Sequence, residues 1–587
     1  MSAEVTSSPK TQTDSRGRRL ESWKEIAAHL GRDVTTVRRW EKREGLPVYR
    51  LQHSKLGSVY AYTSELDAWR DKQALAGATD ALDAQDDQGP RRIPEAPHWL
   101  VLGGLAILAI VTLTYVVIRS HKVNATRSKI QSLAVLPLKN LSGDPTQEYL
   151  ADGMTEALIG RLSGIHDLRV ISRTSVMRFK DTQLSVPEIA KTLGVEAIVE
   201  GSVMREGNRI RVHAQLIRAA TDDHFWSESY DRELRDALTL ESDVAQSIAN
   251  KVEVTVTGEE HARLTAARSV SPEVYESFLK GSFALNKGNT RADFDEAIHY
   301  FEEATKRDPT FAPAYLGLAN AYGHVSTVFV GAPPEQARAK VVSAAQKALE
   351  LDPELAEAHA LLAAIHQEHW EWAQSEAEYQ RALKLNPNDA GVHNGLARWL
   401  ICQGRTEESL TWVKRGRELD PLAVSGTDVG WILFLAHRYD EAERELRSVL
   451  TVRPNDAFTL WFLGFALVAD NQAEAAIPLL EKALSVSNRS PGVIGVLVRA
   501  YAHAGHHAEA LKLLAELKKR KQAGYVPAGA FVNAYLGLGD NEGAFAWLEQ
   551  AYKEQSNILQ WIKVHPYFDP VRDDPRFKDL LRRVGPG

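Results

Sequence analysis

The stretch WLVLGGLAILAIVTLTYVVI, residues 99–118, divides the chain into a short amino-terminal part and a long carboxy-terminal part. It contains twenty residues without a charge, with Pro94 and Pro97 before it and Arg119 after it. A helix of this length spans roughly 30 Å, the thickness of the hydrocarbon core of a bilayer. The pattern predicts one transmembrane helix; the alternative is a buried core helix, which seldom has so long an apolar run.

The composition limits the chemistry that the chain can carry out. The 587 residues have a net charge of -7 and one cysteine, Cys402, so the chain has no intramolecular disulfide and no cysteine-cluster metal site. The sequence contains no Walker lysine, no H-E-x-x-H, no G-x-S-x-G and no kinase H-R-D or D-F-G. We therefore expect a protein that is not an enzyme and has no catalytic residue, no cofactor and no metal.

The amino-terminal part is locally basic, because residues 16–70 carry twelve Lys and Arg against seven Asp and Glu. Residues 1–19 are polar and rich in Ser and Thr, which predicts disorder. Ser22 begins a short helix as an N-cap, with Glu25 three residues later. A turn and a second, strongly basic helix over residues 33–44 follow, which is the pattern of a helix-turn-helix.

Two predicted short strands, residues 48–51 and 58–62, and a closing helix complete a domain over residues 20–72. The order of elements resembles the winged helix-turn-helix domain of MerR and excisionase-like regulators. The residues that carry the resemblance are Glu25-Ile26-Ala27, Gly31, Thr36-Val37-Arg38-Arg39-Trp40-Glu41 and Glu44-Gly45-Leu46.

This resemblance implies a DNA-binding surface on the second helix and the wing. The residues it places in or beside the major groove are Thr35, Thr36, Arg38, Arg39 and Arg43, and those it places at phosphates are Arg50, His53 and Lys55. The planar guanidinium of arginine can pair with guanine edges or with phosphate oxygens. The alternative interpretation is an ordinary solvated basic face. Residues 73–98 have no heptad pattern and are predicted to be a flexible linker, so a homodimer, if one forms, would pair elsewhere.

A DNA-binding amino terminus would have to lie in the cytoplasm. The sequence thus predicts a single-pass protein of the inner (cytoplasmic) membrane, with periplasmic or otherwise extracytoplasmic carboxy-terminal domains. The flanking charges oppose this orientation, since two arginines precede the apolar stretch and four basic residues follow it by position 129.

Residues 130–257 are predicted to form an α/β domain. Its clearest element is a hairpin, in which residues 197–205 and 209–218 flank the turn Gly207-Asn208 and the second strand alternates apolar and polar residues. The stretch resembles the domain related to the amino-terminal part of TolB, on the motifs Ala134-Val135-Leu136-Pro137, Asn140-Leu141-Ser142-Gly143-Asp144-Pro145, Tyr149-Leu150-Ala151-Asp152-Gly153 and Glu200-Gly201-Ser202-Val203. The resemblance implies a signalling context without catalysis.

Residues 271–587 contain an internal repeat. A small or apolar residue returns at steps of 44, 34, 34, 33, 34, 34 and 34, at Ala304, Ala348, Ala382, Gly416, Val449, Ala483, Leu517 and Ala551. A 34-residue period with closing prolines resembles the tetratricopeptide repeat, and about eight units would form a solenoid. Such a solenoid has a groove that binds a protein or a peptide. Residues 565–577 are predicted to cap it.

The predicted fold class is therefore multidomain: a mainly α repeat solenoid, a small winged helix-turn-helix, one transmembrane helix and an α/β domain. The leading hypothesis is a membrane-anchored one-component transcription regulator, similar in architecture to the CadC and ToxR type. Its partners would be promoter DNA through residues 20–72, the membrane through residues 99–118, and a signal or protein in the repeats. The alternative is a membrane-anchored repeat adaptor that assembles other proteins.

Overall fold

The computed structural model describes residues 17–50, 59–82, 129–266, 268–288, 291–325, 334–422 and 425–585. The chain divides into two compact units, Met1–Val123 and Asn124–Gly587, and each is described by itself.

The described residues of the amino-terminal unit form three helices and a small antiparallel sheet whose strand order is β1-β3-β2. Its elements are β1 (Arg19–Leu20), α1 (Trp23–Leu30), α2 (Val34–Glu44), β2 (Tyr49–Arg50), β3 (Val59–Tyr62) and α3 (Thr63–Leu82). Ile26, Val37, Ala61 and Leu66 are fully buried and form the centre of its core. Gly31 at the end of α1 has a φ of 59°, a left-handed conformation that glycine adopts without strain.

Two boundaries in this unit differ from the prediction. Arg19 pairs with Tyr62 in the sheet, so the disorder predicted for residues 1–19 does not extend to residue 19. Helix α3 continues to Leu82, so residues 73–82 of the predicted linker are helical. Alanine and leucine in this stretch favour a helix, and no proline interrupts it.

The predicted inner-membrane localisation is corrected. In the part of the chain that the structure describes, every helix is too short or too polar to span a bilayer. The apolar stretch at residues 99–118, on which the prediction rested, lies outside the described residues. An apolar run of sufficient length is only a candidate for a helix, because hydropathy alone does not establish that the helix forms.

The second unit begins with an α/β domain built on a six-stranded sheet. Its strands are β4 (Ser132–Val135), β5 (Lys139–Asn140), β6 (Arg169–Val170), β7 (Ala197–Glu206), β8 (Arg209–Arg218) and β9 (Asp223–Glu233). The strand order is β6-β4-β7-β8-β9, with β5 also on β7. The predicted hairpin is present as β7 and β8, because Gly207 adopts a φ of 58° in the turn.

The helices of this domain pack on the sheet and lead into the repeats. They are α4 (Glu148–Ser163), α5 (Arg173–Val176), α6 (Val186–Leu193), α7 (Ala237–Lys251) and α8 (Gly258–Thr265). Ser185 and Glu188 form a capping box at the start of α6.

Sixteen helices then follow among the described residues in eight successive pairs, which is the architecture of a repeat solenoid. The first members are α9 (Pro272–Lys287), α11 (Ala312–Val325), α13 (Ala356–Glu368), α15 (Ala390–Cys402), α17 (Ser425–Leu435), α19 (Ala457–Ala469), α21 (Pro491–His503) and α23 (Ala528–Gly537). The second members are α10 (Arg291–Arg307), α12 (Pro334–Leu351), α14 (Trp372–Leu385), α16 (Thr406–Leu419), α18 (Tyr439–Val452), α20 (Ala473–Val486), α22 (His507–Ala523) and α24 (Asn541–Lys553). Two 3-10 turns, Asn557–Trp561 and Pro566–Val571, and the helix α25 (Pro575–Val584) end the chain.

The α/β domain and the first repeat share one hydrophobic core, which includes Leu279 of α9 and Phe311. A buried polar group lies at the same junction. The carboxylate of Glu241 accepts hydrogen bonds from the Tyr275 hydroxyl at 2.8 Å and from the Arg161 guanidinium at 3.3 Å. Burial raises the pKa of Glu241, and Arg161 opposes this effect. The two parts are therefore packed as one body.

Candidate functional site

Helix α2 is held at its start by local hydrogen bonds. The carboxylate of Asp33 accepts from the backbone N–H of Thr36 at 2.9 Å and from its hydroxyl at 2.6 Å. These bonds lower the pKa of Asp33. At the start of α1, the Ser22 hydroxyl accepts from the backbone N–H of Glu25 at 3.2 Å, and the Glu25 carboxylate accepts from the backbone N–H of Glu21 at 2.9 Å. The two caps fix where both helices begin, and so fix which side chains of α2 point outward.

The outward face of α2 carries a row of basic residues above a shallow cleft of about 630 Å³. The residues that line the cleft are Trp23, Thr35, Arg38, Arg39, Glu41, Lys42, Arg43, Arg50 and Val59. The Arg38 guanidinium lies 5.2 Å from the centre of the Trp23 ring, a cation–π contact that positions it. One exposed surface therefore presents five cations and one carboxylate.

The structure distributes the predicted DNA-binding residues unevenly. Thr35, Arg38, Arg39, Arg43 and Arg50 all lie on the cleft. The predicted residue Thr36 does not, because its hydroxyl is used in the cap of α2.

Arg50 on β2 forms an ion pair with Glu41, with 2.8 Å between Nη2 and Oε1, so its charge is partly neutralised. His53 and Lys55 lie outside the described residues. Lys42 joins the surface although it was not among the predicted residues. Its spacing of four from Arg38 on one helix would have indicated it.

The repeats carry a second arrangement, at the junction with the α/β domain. The side-chain nitrogen of Asn388, in the turn between α14 and α15, donates to the carbonyl oxygens of Ser163 at 3.0 Å, Ile165 at 3.0 Å and Leu168 at 2.7 Å. Asn388 is only 4% exposed. One side chain of the repeats thus binds the backbone of a loop in the α/β domain.

A similar contact is repeated one unit later. The hydroxyl of Ser175 donates to the carboxylate of Asp420 at 2.5 Å and accepts from the backbone N–H of Leu422 at 2.8 Å. Burial raises the pKa of Asp420, and hydrogen bonding to the neighbouring serines opposes this effect. Polar turns of two successive repeats therefore hold the α/β domain in one orientation.

The carboxy-terminal segment, residues 554–571, packs against earlier repeats rather than only capping their end. The side-chain amide of Gln367 donates to the Gln560 carbonyl oxygen at 2.8 Å, across 193 positions of sequence. The ammonium of Lys563 donates to the carbonyl oxygen of Gln403 at 3.0 Å.

His565 of this segment lies in an aromatic cage. Its ring centre is 5.3 Å from that of Trp431, 5.1 Å from that of Phe434 and 5.2 Å from that of Phe465. Burial lowers the pKa of His565 well below its ordinary value, and the positive charge of Arg499 adds to this effect. The imidazole is therefore neutral at pH 7.

Between the carboxy-terminal segment and the first helices of the units lies a half-open cavity of about 790 Å³. Residues from α11 to α23 line it, and the segment forms its remaining wall. No local pattern in the sequence indicated this cavity, because its lining residues are spread from Asn320 to Tyr567 and meet only in the folded solenoid.

Comparison with known proteins identifies the class of each carboxy-terminal part. Residues 128–250 match the family described as HilA/YgeH-like transcriptional regulator, second domain. The predicted TolB likeness is not part of this match and stays a prediction. Residues 290–323, 362–424 and 467–526 match tetratricopeptide repeat families, which confirms the predicted repeats. The chain therefore contains a HilA-like regulator domain and tetratricopeptide repeats.

Among characterised proteins, the chain is similar to putative adenylate cyclase 3 of Rhizobium meliloti, with 35% identity over 233 residues, 40% of this chain and 39% of that protein. It is also similar to the transcriptional regulator HilA of Salmonella typhimurium, with 29% identity over 176 residues, 29% of this chain and 31% of that protein. The chain thus spans less than half the length of these relatives. Among solved structures, it is similar to the type IV pilus biogenesis factor PilW, with 16% identity, 35% of this chain, 94% of that chain and a TM-score of 0.29.

Proposed function

We propose that the protein is a transcription regulator that binds DNA through α2 and binds a signal or a protein partner through the α/β domain and the repeats. The observation that carries the proposal is the exposed row of Thr35, Arg38, Arg39 and Arg43 on α2. The match of residues 128–250 to a transcriptional regulator family supports the same function.

The geometry of the amino-terminal domain suits a winged helix-turn-helix. Helix α1 and the turn at Gly31 present α2, and β2 with β3 forms the base of the wing. In this arrangement the arginines near the middle of α2 would contact base edges, while Arg50 would contact a phosphate. Glu41, which now pairs with Arg50, would exchange this partner for solvent or a base when DNA is bound.

The test is binding of the full-length chain to DNA fragments, beginning with DNA upstream of its own gene, at several salt concentrations. The Arg38→Ala/Arg39→Ala variant should bind the preferred fragment at least ~10-fold more weakly, since one good base contact is worth ~1–3 kcal/mol. The matched control is Lys24→Ala/Lys72→Ala, which removes the same charge from exposed positions outside the cleft. Equal losses in both variants, or equal binding to every fragment, would contradict the proposal and indicate nonspecific charge.

A protein-interaction role through the repeats is the second candidate. The observation that favours it is the carboxy-terminal segment, in which a stretch of 3-10 turns places aromatic side chains against the first helices of the repeats. An adaptor would keep its activity in the Arg38→Ala/Arg39→Ala variant and lose it on substitution of repeat residues. Homodimerisation stays a prediction, and light scattering of the intact protein would test it.

A further inference from the structure

The half-open cavity beside the carboxy-terminal segment has the size and chemistry of a small-molecule site. At about 790 Å³ it falls within the range of ~300–1,000 Å³ that is typical of ligand pockets. The carboxy-terminal segment closes one side of it, so the space suits a compact molecule better than an extended peptide.

Aromatic rings form much of its wall. The ring centres of Trp431 and Phe462 lie 4.2 Å apart in a stacked arrangement, and Trp561 contacts Trp431 edge-on at 5.8 Å. Phe458 and Trp461 also line the space. Rings of this kind bind flat aromatic molecules, and their faces attract cations.

The charges of the lining are unequally compensated. Arg338 lies 3.8 Å from the carboxylate of Glu368, and Arg398 lies 3.3 Å from that of Asp428. Each arginine therefore has its own carboxylate. The remaining carboxylate is that of Glu554, which has no ion pair within 4.0 Å among the described residues.

The lining also offers hydrogen-bond acceptors that are not used. One oxygen of Glu554 accepts from the Gln550 amide at 2.6 Å, and its other oxygen has no partner in the described structure. Asn533 is in the same condition: its nitrogen donates to the Gly529 carbonyl at 3.1 Å, and its oxygen is buried without a partner among the described residues. Both unpaired oxygens are almost inaccessible in the unliganded structure, so a ligand N–H group would reach them only after the side chains rotate toward the cavity. Such a rotation would relieve the unfavourable burial of an unpaired acceptor.

We propose that this cavity binds a small aromatic amine, with its ring against Trp431 and Phe462 and its amino group directed toward Glu554 and Asn533. His565 also lines the cavity, and its burial keeps it neutral, so it does not oppose a cation. The proposal specifies which kind of molecule would be the signal of the proposed regulator. Ligand binding itself does not depend on the regulator function; only the step from ligand binding to DNA binding rests on it.

The test is isothermal titration of the full-length chain with tryptamine as the probe. Indole, which lacks the amine, and indole-3-propionate, which carries the opposite charge, are the matched ligands. We expect tryptamine to bind at least tenfold more tightly than either of them. Glu554→Gln should weaken tryptamine binding at least tenfold and leave indole unchanged, whereas Glu509→Gln, an exposed carboxylate outside the cavity, should change neither.

Absence of tryptamine binding, equal binding of the three ligands, or an unchanged affinity in Glu554→Gln would each overturn the proposal. Circular dichroism of each variant establishes that it is folded. DNA binding is measured on the same samples to keep the two proposals separate. If the Arg38→Ala/Arg39→Ala variant loses DNA binding and still binds tryptamine, both proposals are supported. Tryptamine binding to a chain that does not select DNA would support this site and contradict the regulator.

Discussion

Replacement of Asn388 tests whether the repeats hold the α/β domain through one side chain. Its nitrogen faces three carbonyl oxygens at 2.7 to 3.0 Å, and two amide protons can form at most two good hydrogen bonds with them. Because each buried polar group left unpaired costs ~1–3 kcal/mol, Asn388→Ala should lower the free energy of unfolding by about 2–4 kcal/mol.

Asn388→Asp keeps the size of the side chain and makes a sharper change. It places a carboxylate oxygen against carbonyl oxygens, and a buried charge without a partner costs ~3–5 kcal/mol. The carboxyl would therefore have a raised pKa in the folded state. The loss of stability should be largest above that pKa and should shrink as the pH falls and the group becomes protonated, since the protonated form can donate a hydrogen bond.

The assay is urea denaturation of the full-length chain, combined with hydrogen exchange of residues 163–168. The control is Asn386→Asp, the same chemical change two positions earlier, where the side-chain oxygen accepts from the Asn388 backbone and a carboxylate can do the same. Faster exchange at 163–168 should appear in both Asn388 variants and not in the control. Equal effects of Asn388→Asp and Asn386→Asp, or a pH-independent loss in Asn388→Asp, would refute the reasoning.

Three further outcomes follow from buried or capped groups. Lowering the pH from 7 to 5.5 should destabilise the second unit by up to ~1.4 kcal/mol, because below pH 6.5 His565 is protonated in the unfolded chain and neutral in the folded one. His565→Phe should weaken this pH dependence, which is measured as the urea midpoint at each pH. Gly395→Ala should cost about 1–3 kcal/mol, since its Cβ would lie 2.5 Å from the Tyr379 ring, whereas Gly160→Ala, with open space around it, should be neutral or gain up to ~1 kcal/mol in thermal unfolding. Asp33→Ala should lose ~1 kcal/mol of stability in the amino-terminal domain by removing the cap of α2, while Asp33→Asn should retain it, as judged by chemical denaturation.

The features that the sequence predicted well are those set by local chemistry. The repeat phase is an example: Ala304, Ala382 and Ala483, which the period singled out, are completely buried at the contacts between helices. The hairpin at Gly207 and the cap at Ser22 are others, because a turn or a cap depends on only a few neighbouring residues.

Features that depend on distant residues could not be predicted in this way. Asn388 looks like an ordinary polar turn residue until the α/β loop is placed beside it, and the Gln367–Gln560 contact joins residues 193 positions apart. For the proposed DNA-binding surface, the sequence correctly placed the arginines of α2 on one helix. It could not show that Thr36 is used in a cap or that Arg50 pairs with Glu41, since both depend on the side-chain geometry of the folded domain.

The two arrangements in the second unit are connected through a single helix pair. Gln367 and Glu368 at the end of α13 line the cavity, and Asn388 follows α14, the next helix. A ligand that shifts α13 and α14 would therefore act on the same turn that holds the α/β domain. Thermodynamic linkage makes this coupling reciprocal: if tryptamine changes the affinity for DNA by some factor, DNA must change the affinity for tryptamine by the same factor. If the two factors differ, the two measurements report different states of the protein. If neither ligand changes the affinity for the other, the cavity and the proposed DNA-binding surface act independently.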